Sequence, residues 1–467
     1  MPATAKRFRT FDCMTTTNDT IAAIATPPGM GAIAVLRISG SDAFVVLKKI
    51  FRTKKNTSID IDNLQSHTMH FGTIVHNEVI IDEVLISIFK NPHSYTGDDT
   101  VEISCHGAVF IQQKILQIII SNGARMAAPG EFTMRAFMNK KLDLSQAEAV
   151  GELIASDSAA RHRTALNQLR GGIKNEIQEL RNELIHAASL LELELDFSEE
   201  DVEFVSRTDL KKLIQRIETK IVSLINSFET GNALRNGIPV VIAGSPNVGK
   251  STLLNALLKE DRAIVSEIAG TTRDALHELI EIDGVAVHVT DTAGLRETDD
   301  PVERIGVDRA WAEIARADIV IQLVDARDGV GAGDAAIAAR LPVGARRLVV
   351  ENKIDLAGFA VGREDCDGVV HLRLCAKSGE GVDLLRAELL RIFGWQGGED
   401  VVLARERHLV ALERAHETTV VARRRLTQAE LCAEELRMAQ EALSTITGEF
   451  TADDLLGEIF SRFCIGK

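Results

Sequence analysis

The sequence predicts a multidomain chain of mixed α+β and α/β class, with a helical-bundle domain alongside. Three observations predict it. Up to about residue 137, short β-rich runs alternate with turn residues and helical stretches. Residues 142–235, and again those after 405, carry apolar side chains at steps of three and four, the mark of amphipathic helices. Between these helical stretches, apolar strands alternate with helices across 238–395, as in a parallel-sheet α/β domain. Neither helical stretch easily buries its faces alone. The simplest solution is one discontinuous helical domain, 138–235 plus 397–467, with an α/β domain at 236–396 inserted in it. An α+β domain at 18–137 precedes both.

The N-terminal elements follow in order. Thr20–Thr26 and Ala32–Ile38 are strands around the turn Pro27-Pro28-Gly29-Met30-Gly31, and Ser41-Asp42 caps a helix running to Phe51. Met69–Val75 and Val79–Lys90 form a hairpin. A turn-rich loop holds Tyr95, the single tyrosine, before the strand Val101–Cys105 and the helix Ala108–Ile120. By pattern alone Arg37, Glu102 and Lys141 are solvated strand and loop charge. The helical periodicity runs through Ile177, Leu180, Leu184, Ala188, Leu191 and Leu195, then through Leu210, Leu213, Ile217, Ile221, Leu224 and Phe228. The acidic break 196–201 separates the two.

In the inserted domain the residues 240–251 read VVIAGSPNVGKS. Gly244, Gly249, Lys250 and Ser251 fill the P-loop pattern. Glycine stands where a Cβ would obstruct backbone N–H groups turned toward phosphate. Lys250 reaches the β- and γ-phosphates, and Ser251 supplies a hydroxyl for Mg²⁺. Asn247, Val248 and Thr252 complete the loop and the start of a helix whose dipole favours anions. Three more pieces follow in order. Asp291-Thr292-Ala293-Gly294 ends a strand and suits a Mg²⁺-side carboxylate followed by a γ-phosphate-sensing glycine. Asn352-Lys353-Ile354-Asp355 ends another, and the Asp355 carboxylate can accept from both N1–H and the 2-amino group of guanine. Cys375-Ala376-Lys377 supplies a second base-contacting loop. Between the first two pieces, Ser266, Glu267, Ile268, Ala269 and Gly270 lead to the switch threonines Thr271 and Thr272, with Thr272 a second Mg²⁺ ligand. The ordered set predicts a Ras-like P-loop GTPase domain binding GTP. Leu276–Ile282 and Val285–Asp291 flank Asp283-Gly284, a two-residue hairpin signal that places one antiparallel edge strand on a parallel sheet. The remaining strands are Ile319–Asp325, Arg347–Glu351 and Val369–Leu374.

Composition limits the function. A net charge of −15 excludes a broad basic field for nucleic acid, so any RNA contact is local or shared with a more basic partner. Cys13, Cys105, Cys366, Cys375, Cys432 and Cys464 form no CxxC pair, which argues against a disulfide framework or zinc site and for a reducing cytoplasm. No apolar run approaches the ~18 residues of a membrane span. The mildly basic N-terminus lacks the apolar core of a secretory signal, and Met14 is a candidate start.

With these pieces placed, the sequence closely resembles the MnmE (TrmE) family of tRNA-modification GTPases, from about Asp19 to the end. Beyond the nucleotide motifs, the resemblance rests on TPPGMGAIAVLRISG (26–40), SYTGDDTVEISCHG (94–107), PGEFTMRAFMNKKLDLSQAEA (129–149) and the terminal FCIGK. It implies that 18–137 binds a tetrahydrofolate derivative, 5-formyl- or 5,10-methylene-tetrahydrofolate, and makes a homodimer. The family's folate positions fall on Arg37, Glu102, Lys141 and Lys467. A guanidinium and two amines suit folate carboxylates, and a carboxylate suits the pterin N–H edge. The resemblance also implies a role in tRNA modification for Cys464; the alternative is a free thiol near the tail. The last four residues mimic a prenylation box, but Gly466 and Lys467 do not suit one.

The residue after Asp291-Thr-Ala-Gly is Leu295, where Ras places its water-orienting glutamine, and Arg273 and Arg296 are weak candidates for an arginine finger. The resemblance implies instead that Asn247, Ser266, Ile268 and Thr271 hold K⁺ when two G domains meet, and that Glu303 orients the attacking water. Lys250, Thr272 and Glu303 are then the catalytic set. The family departs from this chain at Met30, a position often basic. The implied activity is K⁺-stimulated GTP hydrolysis coupled to adding an aminomethyl or carboxymethylaminomethyl group at C5 of a wobble uridine. The chain offers no GxGxxG fingerprint for a redox cofactor, and the resemblance implies an FAD-binding MnmG (GidA) partner in a heterotetramer. The alternatives are a ribosome-assembly or regulatory GTPase switch, and a folate-dependent aminomethyltransferase with an accessory GTPase.

Overall fold

Alternation of buried and less buried side chains along most strands builds the N-terminal sheet. The computed structural model describes residues 19–55, 57–61, 63–196, 206–260, 277–291, 311–341, 346–394, 403–449, 453–461 and 463–466. It falls into two compact units, one comprising the residues up to Gly151 and those from Ser444 on, the other Glu152–Leu443.

In the first unit the strands are β1 (Ile21–Ile24), β2 (Ile33–Ser39), β3 (Phe51–Thr53), β4 (Thr68–His76), β5 (Val79–Phe89), β6 (Thr100–His106) and β7 (Arg125–Met126). Their order in the sheet is β3-β4-β5-β6-β2-β1-β7, antiparallel throughout except for β1 beside β7. Leu36, Ile38, Val84, Ile86, Ile88, Val101 and Ile103 point to one face and are buried under Val46, Leu47 and Ile50 of α1 (Ala43–Ile50) and Ile115 and Ile119 of α2 (Val109–Ser121). Each such side chain contributes about 1.5–3 kcal/mol when fully buried. The register sets Arg37 directly opposite Glu102.

The segment 129–137, crowded with charge and small residues, is a helix, α3 (Glu131–Met138), with Gly130 at its N-cap in the left-handed region. Its charges are inward. Glu131 is 2% exposed and is held by Arg125, which also binds Asp19; Arg135 bridges Asp19 and Glu131. The last helix, Asp453–Ser461, belongs to this unit, and Phe460 packs with Leu144, Ala147 and Phe137.

The second unit holds β8 (Ile238–Ala243), β9 (His277–Ile282), β10 (Val285–Asp291), β11 (Ile319–Asp325), β12 (Arg346–Asn352), β13 (Gly362–Cys366) and β14 (Val369–Arg373). Their order is β13-β14-β12-β11-β8-β10-β9. The five central strands are parallel, and β9 and β13 are antiparallel at opposite edges. The sequence reading expected one antiparallel edge strand. The second, β13, escaped it because GREDC lies almost wholly exposed and shows no apolar alternation. Central β11 is buried at every position.

The long helices of this unit are α6 (Gly172–Asp196), α7 (Arg207–Asn226), Glu406–Arg424 and Ala429–Thr447 as far as Leu443. Helix α7 packs against both α6 and Glu406–Arg424, so helices from before and after the nucleotide motifs share one bundle. Leu210, Ile214, Ile217 and Ile221 form its buried stripe; the sequence periodicity placed Leu213 where Ile214 stands, and Leu213 and Leu224 are half-buried. Arg235, Arg405 and Arg161 converge on Glu152, tying three segments together.

Candidate active site

The parallel strands deliver their motifs to the carboxyl edge of the second sheet, where ligands of open α/β sheets bind. Strand β8 ends at Ala243, the loop 244–249 follows, and α9 (Lys250–Glu260) begins at the P-loop lysine. Asn247 and Gly249 are left-handed, with φ of 63° and 103°. A Cβ on Gly244 would stand 2.3 Å from the Leu323 carbonyl oxygen, and one on Gly249 would stand 2.5 Å from Nδ2 of Asn352. The loop's path therefore requires both glycines, and its shape is the cradle that phosphate oxygens fill. Lys250 folds over the loop and donates to the carbonyls of Gly244 (2.9 Å) and Ser245 (3.1 Å). Ser251 and Thr252 open α9 on its exposed side.

The base motifs are fastened to this loop. Asn352, 3% exposed, donates from Nδ2 to the Val248 carbonyl at 2.9 Å and accepts at Oδ1 from the Ala376 N–H at 2.9 Å. Lys353, itself left-handed at φ 65°, donates to the Asn247 carbonyl at 2.6 Å. Asp355 is exposed, and its Oδ1 accepts from the Cys375 thiol at 3.3 Å. Cys375 and Ala376 are buried while Lys377 is exposed. The structure thus joins Asn247 and Val248 of the loop to Asn352, Lys353 and Ala376, and Asp355 to Cys375, by hydrogen bonds, with Gly249 and Lys250 in the same loop. Of Asp291 only the backbone is described, at the end of β10 beside Ile242. Ser266, Glu267, Ile268, Ala269, Gly270, Thr271, Thr272, Arg273, Thr292, Ala293, Gly294, Leu295, Arg296 and Glu303 lie outside the described residues.

Asp325, with its partner Arg327, escaped the sequence reading at this edge. Asp325 ends β11, as Asp291 ends β10 and Asn352 ends β12. It is 7% exposed and binds Arg327 through both carboxylate oxygens and Lys353 through Oδ2 at 2.9 Å. Arg327 first, and then Lys353, hold its carboxyl well below the usual carboxylate range. The available signal was a charge closing the apolar run Ile319–Val324.

In the first unit, Arg37 and Glu102 meet. Arg37 donates from Nε (2.9 Å) and Nη2 (2.7 Å) to Oε1 of Glu102, and its guanidinium lies 5.3 Å from the Tyr95 ring centroid and 5.5 Å from that of Phe132. The pair is half-buried, on the sheet face opposite α1 and α2. Lys141 donates to the Pro92 carbonyl at 2.9 Å, in the loop that carries Tyr95. Lys467 lies outside the described residues. Cys464 is exposed, and its carbonyl accepts from Gly130. Cys105 and Cys432, by contrast, are buried, and burial pushes both thiols up to about 11.

A parallel sheet with a P-loop, a guanine-type base motif and a second base loop interlocked at its carboxyl edge defines a P-loop GTPase of Ras-like fold. Residues 144–464 match the family model described as "MnmE helical domain", and residues 20–141 match "GTP-binding protein TrmE N-terminus". The chain is 48% identical over 458 residues to a tRNA modification GTPase MnmE of Dechloromonas aromatica (96% of this chain, 100% of the relative). It is 49% identical over 451 residues to the MnmE of an Azoarcus species (96% and 98%). The chain therefore belongs to the MnmE family. Among solved structures it is similar to Aquifex aeolicus Era bound to GDP·AlF4⁻, at 28% identity over 39% of this chain and 66% of that one, with a TM-score of 0.28. Among the described residues no helix is long and apolar enough to cross a membrane.

Proposed function

We propose that this chain is a tRNA-modification GTPase that acts in the cytoplasm. Its GTP hydrolysis serves the addition of an aminomethyl or carboxymethylaminomethyl group at C5 of a wobble uridine. The one-carbon unit comes from 5-formyl- or 5,10-methylene-tetrahydrofolate, and an FAD-binding MnmG (GidA) partner completes the chemistry in a heterotetramer. The observation that carries the GTP half is the double bridge of Asn352 and Lys353 from the base motif to the P-loop. The names of the family's curated relatives support the tRNA half.

In this reading the loop N–H groups and Lys250 bind the phosphates, and Asp355 selects guanine through its two donors. Lys250 exchanges its contacts with the Gly244 and Ser245 carbonyls for phosphate oxygens. Ser251 and Thr272 would hold Mg²⁺, with Asp291 on the same side; Ser251 is exposed in the first turn of α9. Asn247, with Ser266, Ile268 and Thr271, would hold K⁺. The exposed amide of Asn247 is a hard oxygen donor of the kind K⁺ takes, and its left-handed backbone is pinned by Lys353. Bound there, the two cations would supply charge stabilisation at the transferring phosphate. Glu303 orients water.

The half-buried Arg37–Glu102 pair, walled by Tyr95 and Phe132, supports a folate site together with Lys141 and Lys467. Oε1 of Glu102 takes both guanidinium bonds, so the pair is held rigidly for an incoming pterin or carboxylate. An exposed apolar strip lies on the same sheet face: Met69, Phe71 and Leu85, with Phe71 directly opposite Leu85. It supports a homodimer through this domain. Cys464 is assigned to the tRNA chemistry on its exposure.

Reconstitution tests the proposal. Unmodified tRNA, GTP, K⁺, methylene-tetrahydrofolate and glycine or ammonium should give modified uridine only when the FAD protein is added. Full modification by this chain alone would refute the two-subunit scheme, and tight binding to ribosomal particles without modification by the pair would favour an assembly GTPase.

A further inference from the structure

Lys353 stands in a backbone conformation that a residue with a Cβ seldom adopts, at φ 65°. Among the described residues its ammonium contacts the Asn247 carbonyl at 2.6 Å and Oδ2 of Asp325 at 2.9 Å. The first contact joins the base motif to the P-loop. The second decides where that ammonium can be, because Asp325 is nearly immobile. It is 7% exposed and ends a strand buried at every position. Its Oδ1 accepts from the Arg327 N–H (3.1 Å) and Nε (3.0 Å), and its Oδ2 accepts from Arg327 Nη2 (2.8 Å) as well as from Lys353. Asp325 also sits directly across the β11–β12 ladder from Asn352, and the Ala326 N–H donates to the Asn352 carbonyl at 2.8 Å. The carboxylate is thus fixed beside the turn where the base motif leaves its strand. A lysine amine on four flexible methylenes gains direction only from such an anchor.

We propose that Asp325 is a positioning residue for nucleotide retention: it holds the Lys353 ammonium on the Asn247 carbonyl and so clasps the P-loop to the base motif. The inference rests on the guanine-nucleotide reading of this site and extends it to a residue on a strand that no nucleotide motif includes. With the clasp closed, phosphate cradle and base site keep one spacing, and a nucleotide leaves only when both release it. Without the carboxylate, Lys353 is free to turn to solvent, the Asn247 carbonyl loses its donor, and the two halves of the site release independently.

The test is a double-mutant cycle on the full chain, read by the dissociation rate of a fluorescent GDP. Asp325→Asn keeps the shape and removes the charge; Lys353→Met removes the ammonium. Each should speed dissociation about tenfold, the loss expected for one charge-assisted hydrogen bond, and the double variant should be no faster than Lys353→Met alone. Arg327→Gln, which loosens the carboxylate but leaves Asp325 and Lys353 paired, should speed dissociation clearly less than Asp325→Asn does. Should Asp325→Asn not fold, Asp325→Glu, with a misplaced carboxylate, takes its place under the same criterion. An unchanged rate in the Asp325 variant would overturn the proposal. So would additive losses, or an Arg327→Gln effect as large as that of Asp325→Asn. Each of these leaves the nucleotide reading standing, whereas a wild-type chain that bound no guanine nucleotide would refute both.

Discussion

Asn352 binds the Val248 carbonyl at 2.9 Å through the nitrogen that stands 2.5 Å from the place a Cβ would take on Gly249. One side chain therefore both fastens the P-loop and forbids any residue but glycine behind it. Gly249→Ala would displace Asn352 and place a Cβ at φ 103°. We expect this variant to lose GTP binding by at least about tenfold while remaining folded, since one hydrogen bond to a charged or buried partner is worth on that order. Calorimetric titration with GDP, beside a thermal melt, checks it. Wild-type affinity in the variant would show that the loop tolerates another path.

Asp355 presents its exposed carboxylate from the turn after β12, with one oxygen already taking the Cys375 thiol. Guanine offers two donors to such a group and xanthine offers an acceptor in place of the 2-amino group. Asp355→Asn should therefore weaken GTP and improve xanthosine triphosphate. Competitive binding of the two nucleotides to wild type and variant measures the reversal, and a wild type that hydrolyses ATP as readily as GTP would contradict the base assignment.

Much of this site is legible in the sequence because its constraints are local. Gly244, Gly249 and Lys250 must stand at fixed spacing to wrap phosphate, and Asp283-Gly284 alone announces the β9–β10 hairpin. Asp325 was not legible as a site residue. Its meaning comes from Lys353, which the ladder between β11 and β12 brings beside it. Arg37 and Glu102 are likewise ordinary strand charges until the β2–β6 register sets them opposite each other across 65 residues of chain. The inward ion pairs of Arg135 were not legible for the same reason: Asp19, which it binds, is 116 residues away.

Hydrolysis should depend on K⁺, because Leu295 cannot orient water and no arginine finger, worth ~10³–10⁵ in rate, is evident, so a fixed cation must supply part of that. Turnover is to be compared in K⁺ and Na⁺ at equal ionic strength. Equal rates would remove K⁺ from the mechanism. Glu303→Ala should slow turnover with little change in GDP affinity, and unchanged turnover would remove Glu303.

A reduced folate should bind the N-terminal domain without GTP. Arg37 supports the site in two ways, through its bonds to Glu102 and through its place between the Tyr95 and Phe132 rings. Arg37→Ala should weaken 5-formyl-tetrahydrofolate by on the order of tenfold, as expected for losing a charge-assisted contact. Titration calorimetry on the full chain reads the change, and a flat wild-type titration would count against the site.

Acid should loosen the first unit through the lock between Asp19, Glu131, Arg125 and Arg135. Burial alone would raise both carboxyls. For Asp19, hydrogen bonds from Arg125 and Arg135 outweigh it; for Glu131, the Arg125 bond and the Ala128 N–H do so, and both groups sit below their usual range. A carboxyl with a depressed folded pKa stabilises the fold fully above its unfolded pKa, about 4. That stability is lost as pH falls from there through the folded values. Scanning calorimetry between pH 7 and pH 3 should show the midpoint of one transition falling steeply below about pH 4. Glu131→Gln should identify that transition. At pH 7 it should cost on the order of 3 kcal/mol, because a buried charge pair loses one partner, and the variant's midpoint should then fall less steeply than wild type's on acidification. Parallel pH profiles for the two proteins would mean that the lock carries no net acid-sensitive stability, and that the unit's acid response comes from elsewhere on its surface.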